Sequence, residues 1–220
     1  MLSWFARLTR AGSAPNGLAQ RLAHYPPYRA PHAGPPQCWS PAQARDNLDD
    51  LLAHRDERLA ALAGLLREYG IDPAPALAGG DPLPLVDQLH EWAGATWPTL
   101  PPPDAQARAR WLASSRDGAD IPFSLALDVA LLLGELIRRR DRRWTWALDE
   151  DPVNRRDGML TAMRPVLLLR NPVAGRPDVE LDLENLVVAR YLRPGDVAFM
   201  LNPWRRTVAD ALSGACDPRD

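Results

Sequence analysis

The apolar positions of this chain change their spacing along its length, and the changes divide it into elements. Leu48, Leu51, Leu52, Leu59, Leu62, Leu65, Leu66 and Tyr69 recur at three- and four-residue steps, with Asp49, Asp50, Arg55, Asp56 and Arg58 between them. That is the spacing of a helix with one apolar face. Ser40 and Pro41 supply its N-cap and first position, and Gly70 its C′ residue, so one long amphipathic helix is predicted over 41–69. Gly79-Gly80-Asp81-Pro82 resets the chain, with Asp81 as a cap for a second helix whose face is Leu85, Val86, Leu89 and Trp92. Proline breaks the pattern again through Pro103, and Asp104 caps a third helix through Trp111 and Leu112. Ahead of all these, residues 13–23 suit a short helix.

The next run is apolar nearly all round. From Pro122 or Ser124 to Arg140 only Asp128 and Glu135 interrupt it before the terminal arginines, as expected of a helix at the centre of a core. The period then drops to two. Trp144, Trp146 and Leu148 alternate with smaller or polar residues as in a half-buried strand, and Arg164–Leu169 is a short apolar run typical of a buried one. The acidic, turn-rich residues 149–158 read as the hairpin loop between them. Asp182 caps a helix carrying Leu183, Leu186, Val187 and Tyr191, Pro194-Gly195 marks a turn, and Asn202-Pro203 begins a last helix with Trp204, Val208 and Leu212. Residues 214–220 form a tail expected to fray. Helices fill the first two thirds and strands follow, which predicts an α+β fold: a helical N-terminal part packed with a small antiparallel sheet and C-terminal helices, in one domain over 1–220.

Residues 24–41 stand apart from these patterns. They hold six prolines in 18 residues, a stiff extended run because each ring fixes φ and biases its predecessor. Tyr25, Tyr28 and Trp39 give it apolar anchors, so it is read as a strap over the core, with a binding edge as the alternative.

Composition narrows the function classes. The net charge is −2, from 26 basic and 28 acidic residues, so no global field draws the chain to nucleic acid or to an anionic membrane. Every basic residue is arginine; codon usage of a GC-rich genome accounts for that, but it leaves no lysine for a Schiff base or a phosphate loop. The two cysteines, Cys38 and Cys216, make no disulfide framework, and Met1–Arg10 lacks the layout of a secretion signal. The most apolar stretch, Ile121–Ile137, is too short and too interrupted to span a bilayer. The chain therefore reads as a cytoplasmic protein.

Candidate chemistry is sparse. Asp128 and Glu135 lie two turns apart on one side of the apolar helix, where two carboxylates suggest either an acid/base pair or buried ion pairs. Glu135 has Arg138 and Arg139 at the i+3 and i+4 positions, the spacing of helix ion pairs, so both carboxylates are expected to be structural. His90-Glu91-Trp-Ala-Gly94 starts like a zinc-protease helix but has glycine where the second histidine belongs. No catalytic residue, metal ligand set or cofactor is assigned. The run Arg138, Arg139, Arg140, Arg142, Arg143 ends the apolar helix, where cations stabilise the helix dipole by about 0.3–1 kcal/mol each. With Trp144 beside them, Arg138, Arg139, Arg142 and Arg143 form a candidate edge for docking a protein partner rather than nucleic acid, since Asp149-Glu150-Asp151 follows directly.

Leu131-Leu-Leu-Gly134-Glu135-Leu-Ile-Arg138-Arg139, followed by Trp144 and then Pro165-Val-Leu, resembles a group of uncharacterised bacterial proteins in which a Leu-Gly-Glu helix leads into a Trp-bearing strand. Some of these resemble immunity proteins of toxin systems. The match covers about 50 of the 220 residues and leaves the proline-rich strap outside it. It implies that Gly134 allows close packing, that Glu135 is structural, and that the chain neutralises a toxin domain by contact; Asp128, by its expected ion pair, and Trp146, on a predicted apolar face, are read as structural from their own positions. Two alternatives stand beside that expectation: an enzyme with a carboxylate site around Asp128 and Glu135, and an accessory or scaffold protein of a secretion or phage system.

Overall fold

The computed structural model describes residues 17–113, 116–173 and 176–216. Its first half runs through α1 (Leu18–Leu22), α2 (Pro41–Ala53), α3 (Arg55–Arg67), α4 (Ala74–Leu77), α5 (Leu83–Thr96) and α6 (Ala107–Leu112). The central helix α7 (Ile121–Arg140) follows, then β1 (Trp144–Leu148), α8 (Pro152–Arg156), β2 (Pro165–Leu169), β3 (Val179–Leu181), α9 (Leu183–Leu192) and α10 (Pro203–Ser213). The arrangement is α+β, as the change of period predicts.

Local signals set most element ends. Ser40 Oγ accepts from the Gln43 amide while Gln43 Oε1 accepts from the Ser40 amide, a reciprocal capping box that starts α2. Asp182 caps α9 through the Asn185 amide and Asn202 caps α10 through the Arg205 amide. Gly70 and Gly214 take φ of 75° and 81°, the left-handed turn that closes a helix without steric penalty. Asp81 and Asp104 accept from the Leu83 and Gln106 amides just ahead of α5 and α6.

The single helix expected over 41–69 is two helices. His54, with φ −92° and ψ 0°, ends α2 and begins α3. Asp56 and Glu57 then occupy the first turn of α3, where carboxylates complement the new helix's dipole. The apolar spacing carries across the break and hides it. The break turns α3 so that Arg55 and Arg58 both face the carboxylates of α7.

Helix α7 is buried along its whole apolar length, from Pro122 to Ile137. Helices α3, α9 and α10 and strand β1 pack around it. Leu125, Val129, Leu131, Leu133 and Ile137 are fully enclosed within one apolar cluster that reaches from Leu18 to Ala211. The sheet is antiparallel in the order β1-β2-β3, with Trp144 opposite Leu169, Trp146 opposite Leu167, and Leu167 opposite Leu181. The connection between β1 and β2, expected as a plain loop over 149–158, contains the helical turn α8, capped by Asp151. Strand β3, only three residues long, was not anticipated.

Residues 24–40 lie over α2, α3 and α7 as a strap. Tyr25 and Tyr28 are buried, the Tyr28 amide donates to Ser124 Oγ at 2.9 Å, and Asn47 bonds both the amide and the carbonyl of His32. Residues 13–16 of the first expected helix and 217–220 of the expected tail lie outside the described residues.

Candidate protein-binding face

The two carboxylates of α7 face inward. Asp128 is fully buried, and Arg58 grips it with two bonds: Nε to Oδ1 at 2.8 Å and Nη2 to Oδ2 at 2.6 Å. The Tyr25 hydroxyl donates to Oδ2 at 2.5 Å, and Arg58 Nη1 also reaches the Pro26 carbonyl at 2.7 Å. One buried ion pair thus ties strap, α3 and α7 together. Burial raises the Asp128 carboxyl to about 6, against the downward pull of Arg58 and Tyr25.

Glu135, equally buried, meets a fork from Arg138, with Nε to Oε1 at 2.9 Å and Nη2 to Oε2 at 2.8 Å. The Trp146 indole donates to Oε1 at 3.1 Å, and Arg55 Nη1 stands 3.8 Å away. Burial alone would raise this carboxyl; Arg138, Trp146 and Arg55 together hold it below its ordinary value. Trp146 comes so close because residue 134 is glycine: a Cβ there would sit 2.2 Å from Trp146 Cζ2. Both carboxylates are closed to solvent and held by arginines, and this geometry serves cohesion between elements. Among the described residues, no group of three or more His, Cys, Asp or Glu side chains is placed to hold a metal ion.

The arginine run beyond Glu135 lacks the aromatic anchor expected beside it. Trp144, expected as its aromatic anchor, is 1% exposed and belongs to the core, because the inward side of β1 packs on the helices. Arg138 is engaged by Glu135. Arg139 Nη1 donates to the Leu77 carbonyl at 2.9 Å, and Arg140 Nη2 to the Gly80 carbonyl at 2.7 Å, so both close the α4–α5 connection onto the end of α7. Arg143 turns back to Asp141. Arg142 is exposed and has no polar partner among the described residues. The guanidinium groups keep an exposed side, but much of their bonding is internal.

The chain of contacts continues past that corner. Arg205 at the start of α10 donates to Asp87 of α5 and lies 3.5 Å from the Leu83 carbonyl; Asn202 Nδ2 donates to the other oxygen of Asp87 at 2.9 Å. Just before Asn202, the 3-10 turn Val197–Leu201 presents Val197, Met200 and Leu201 at 74, 84 and 85% exposure. These are the most exposed large apolar side chains among the described residues. These contacts link the end of α7 to the Leu77–Leu83 connection and the start of α5 to the start of α10, which the apolar turn directly precedes in the chain.

No family model, curated protein or solved structure matches this chain.

The apolar turn was missed in the sequence because Val-Ala-Phe-Met-Leu at 197–201 reads as core. Only its flanks hinted otherwise: Pro194-Gly195 before it and Asn202-Pro203 after it are turn residues that enclose a short segment. No helix among the described residues is long and apolar enough to cross a membrane.

Proposed function

We propose that this chain is a non-catalytic binding protein that seats a protein partner on an edge that takes in Arg139, Arg142, Met200 and Leu201. The observation that carries the proposal is the exposure of Val197, Met200 and Leu201, in a turn that the Arg193–Asp196 pair precedes in the chain and Arg205 and Arg206, paired to Asp87 and Asp210, follow. Large apolar side chains held in water weaken solubility and gain free energy when a partner covers them. Arginine and methionine are also enriched at protein interfaces, whose cores are apolar and whose rims are polar. The resemblance of the Leu131–Trp144 segment to immunity proteins supplies the kind of partner: a toxin domain neutralised by contact.

Co-expression with the product of the adjacent gene tests this reading. The expected result is a stable complex on size exclusion, with survival of cells in which that product is induced. Met200→Asp with Leu201→Asp should abolish both, and Arg139→Glu with Arg142→Glu should weaken both. If no complex forms and survival is unchanged, the proposal fails. If a complex forms and both variants retain it, the partner binds elsewhere and this face is wrong.

A further inference from the structure

A second feature lies away from that edge. Between the strap and the β1–β2 connection is a cleft of about 510 Å3, within the size range of small-molecule sites. Its walls mix polar and apolar groups; the apolar part is Trp39 from the strap, Leu112 from α6, and Met159 and Met163 from the connection, beside Gln37, Arg155 and Arg156. The Met163 wall is held in place. Its φ of 62° is unusual for a residue with a side chain, and its amide donates to the Asp149 carbonyl at 2.8 Å. The Asp149 carboxylate in turn accepts from the Asp151 amide at 3.0 Å and Asn154 Nδ2 at 2.8 Å. The cleft is preformed, so binding need not order it.

Pro36, Trp39 and Leu112 also border a smaller neighbouring chamber of about 40 Å3. That chamber has room for a group a few atoms in size. Its wall is largely apolar but includes Arg116, Arg164 and Glu184. Glu184 accepts from Trp111 Nε1 at 2.7 Å, from Arg116 Nη1 at 2.5 Å and from Arg164 Nη2 at 3.1 Å. Arg116 is 9% exposed, and its Nε is buried with no hydrogen-bond acceptor among the described residues. A buried guanidinium N–H without an acceptor is costly and uncommon. At the outer mouth stands Arg155, exposed and without an ion pair among the described residues. Four arginines, at 116, 155, 156 and 164, line the two spaces; Arg156 pairs with Asp157, Arg164 with Asp182 and Glu184, and Arg116 with Glu184, which leaves the Arg155 charge unopposed among the described residues.

We infer that this cleft binds a small organic anion with a flat apolar body. The body lies between Trp39, Met159 and Met163, and the carboxylate enters the chamber toward Arg116 Nε. The thioethers and the indole suit an aromatic ring. The open Arg116 Nε–H selects an anion over a neutral molecule of the same shape, and the unopposed charge of Arg155 adds attraction. The inference rests on the interior of the cleft and is independent of the protein-binding edge.

Titration of the folded chain with 2-naphthoate and with 2-naphthylmethanol, followed by calorimetry and ligand-observed NMR, tests it. The expected result is one saturable site for the acid, bound roughly tenfold more tightly than the alcohol, the ratio for one charge-assisted hydrogen bond. Ala30→Leu, which adds volume at the chamber wall, should remove that preference. Arg155→Gln should weaken the acid about two- to threefold and leave the alcohol unchanged. Thermal unfolding of each variant establishes that it is folded; Arg155→Gln, at an exposed position, decides the matter if Ala30→Leu is not. Equal affinity for acid and alcohol, acid binding that Arg155→Gln and a folded Ala30→Leu leave untouched, or no saturation at about 5 mM would each overturn the inference.

Discussion

Asp128 sits among leucines at 0% exposure, and its partners come from places far away in sequence. Removing one member of such a pair strands the other charge. Asp128→Leu is expected to destabilise the fold by about 3–5 kcal/mol, read from the urea midpoint, because Arg58 would stay buried without its carboxylate. Arg58→Met combined with Asp128→Leu should cost much less than that single change; equal losses would mean the pair does not act as a unit. Glu180 on β3 has a different setting. Partial burial, with Asp149, Asp151 and Asp178 nearby, raises its carboxyl to about 7. Because the folded value lies above the unfolded one, its contribution is fully present below the unfolded pKa of about 4.5 and is lost as pH rises toward 7. Stability measured by urea at several pH values should therefore fall less across that window in Glu180→Gln than in the parent chain. Caps such as Ser40, Asp182 and Asn202 were legible in the sequence because each acts on an amide within three residues. Arg58, Tyr25, Arg116 and Glu184 were not, because no local pattern says which distant charge will meet which.

Helix α7 and strand β1 meet at one glycine. Gly134→Ala would gain about 1 kcal/mol of helix propensity in isolation. Against that, the new Cβ would lie 2.2 Å from Trp146 Cζ2, and forcing the ring aside costs about 1–3 kcal/mol. The substitution is therefore expected to destabilise the parent chain on urea unfolding, and to become neutral or stabilising in a Trp146→Ala background. A loss of the same size in both backgrounds would remove the contact as the reason for the glycine. The split at His54 belongs to this scale too. Leucine spacing fits a continuous helix, while the acidic first turn of α3, Asp56-Glu57, was the visible sign of a new start. Strand β3 escaped notice for a plainer reason. Val-Glu-Leu at 179–181 is too short to show a period, and it becomes a strand because β2 offers it an edge to pair with.

At the scale of the molecule, one apolar cluster joins α1 at one end of the chain to α10 at the other. Unfolding followed by far-ultraviolet circular dichroism and by tryptophan fluorescence should accordingly give superimposable transitions; two separated midpoints would show independent units. Within the same cluster Trp92, Trp97 and Trp204 stack edge to face or tilted at about 6 Å, joined by Tyr69 and His90, which accounts for several of the eight tryptophans as core. Sequence alone determined the class of fold, the central helix, two of the three strands and most helix ends. These depend on periodicity and on side chains bonding their own neighbourhood, and both are written in consecutive residues. Only the tertiary structure decided that Trp144 is core, that Arg138 to Arg140 bond inward, and that Met200 and Leu201 face water. Those outcomes depend on which surfaces remain after the helices have covered one another, and burial is a property of the whole packing.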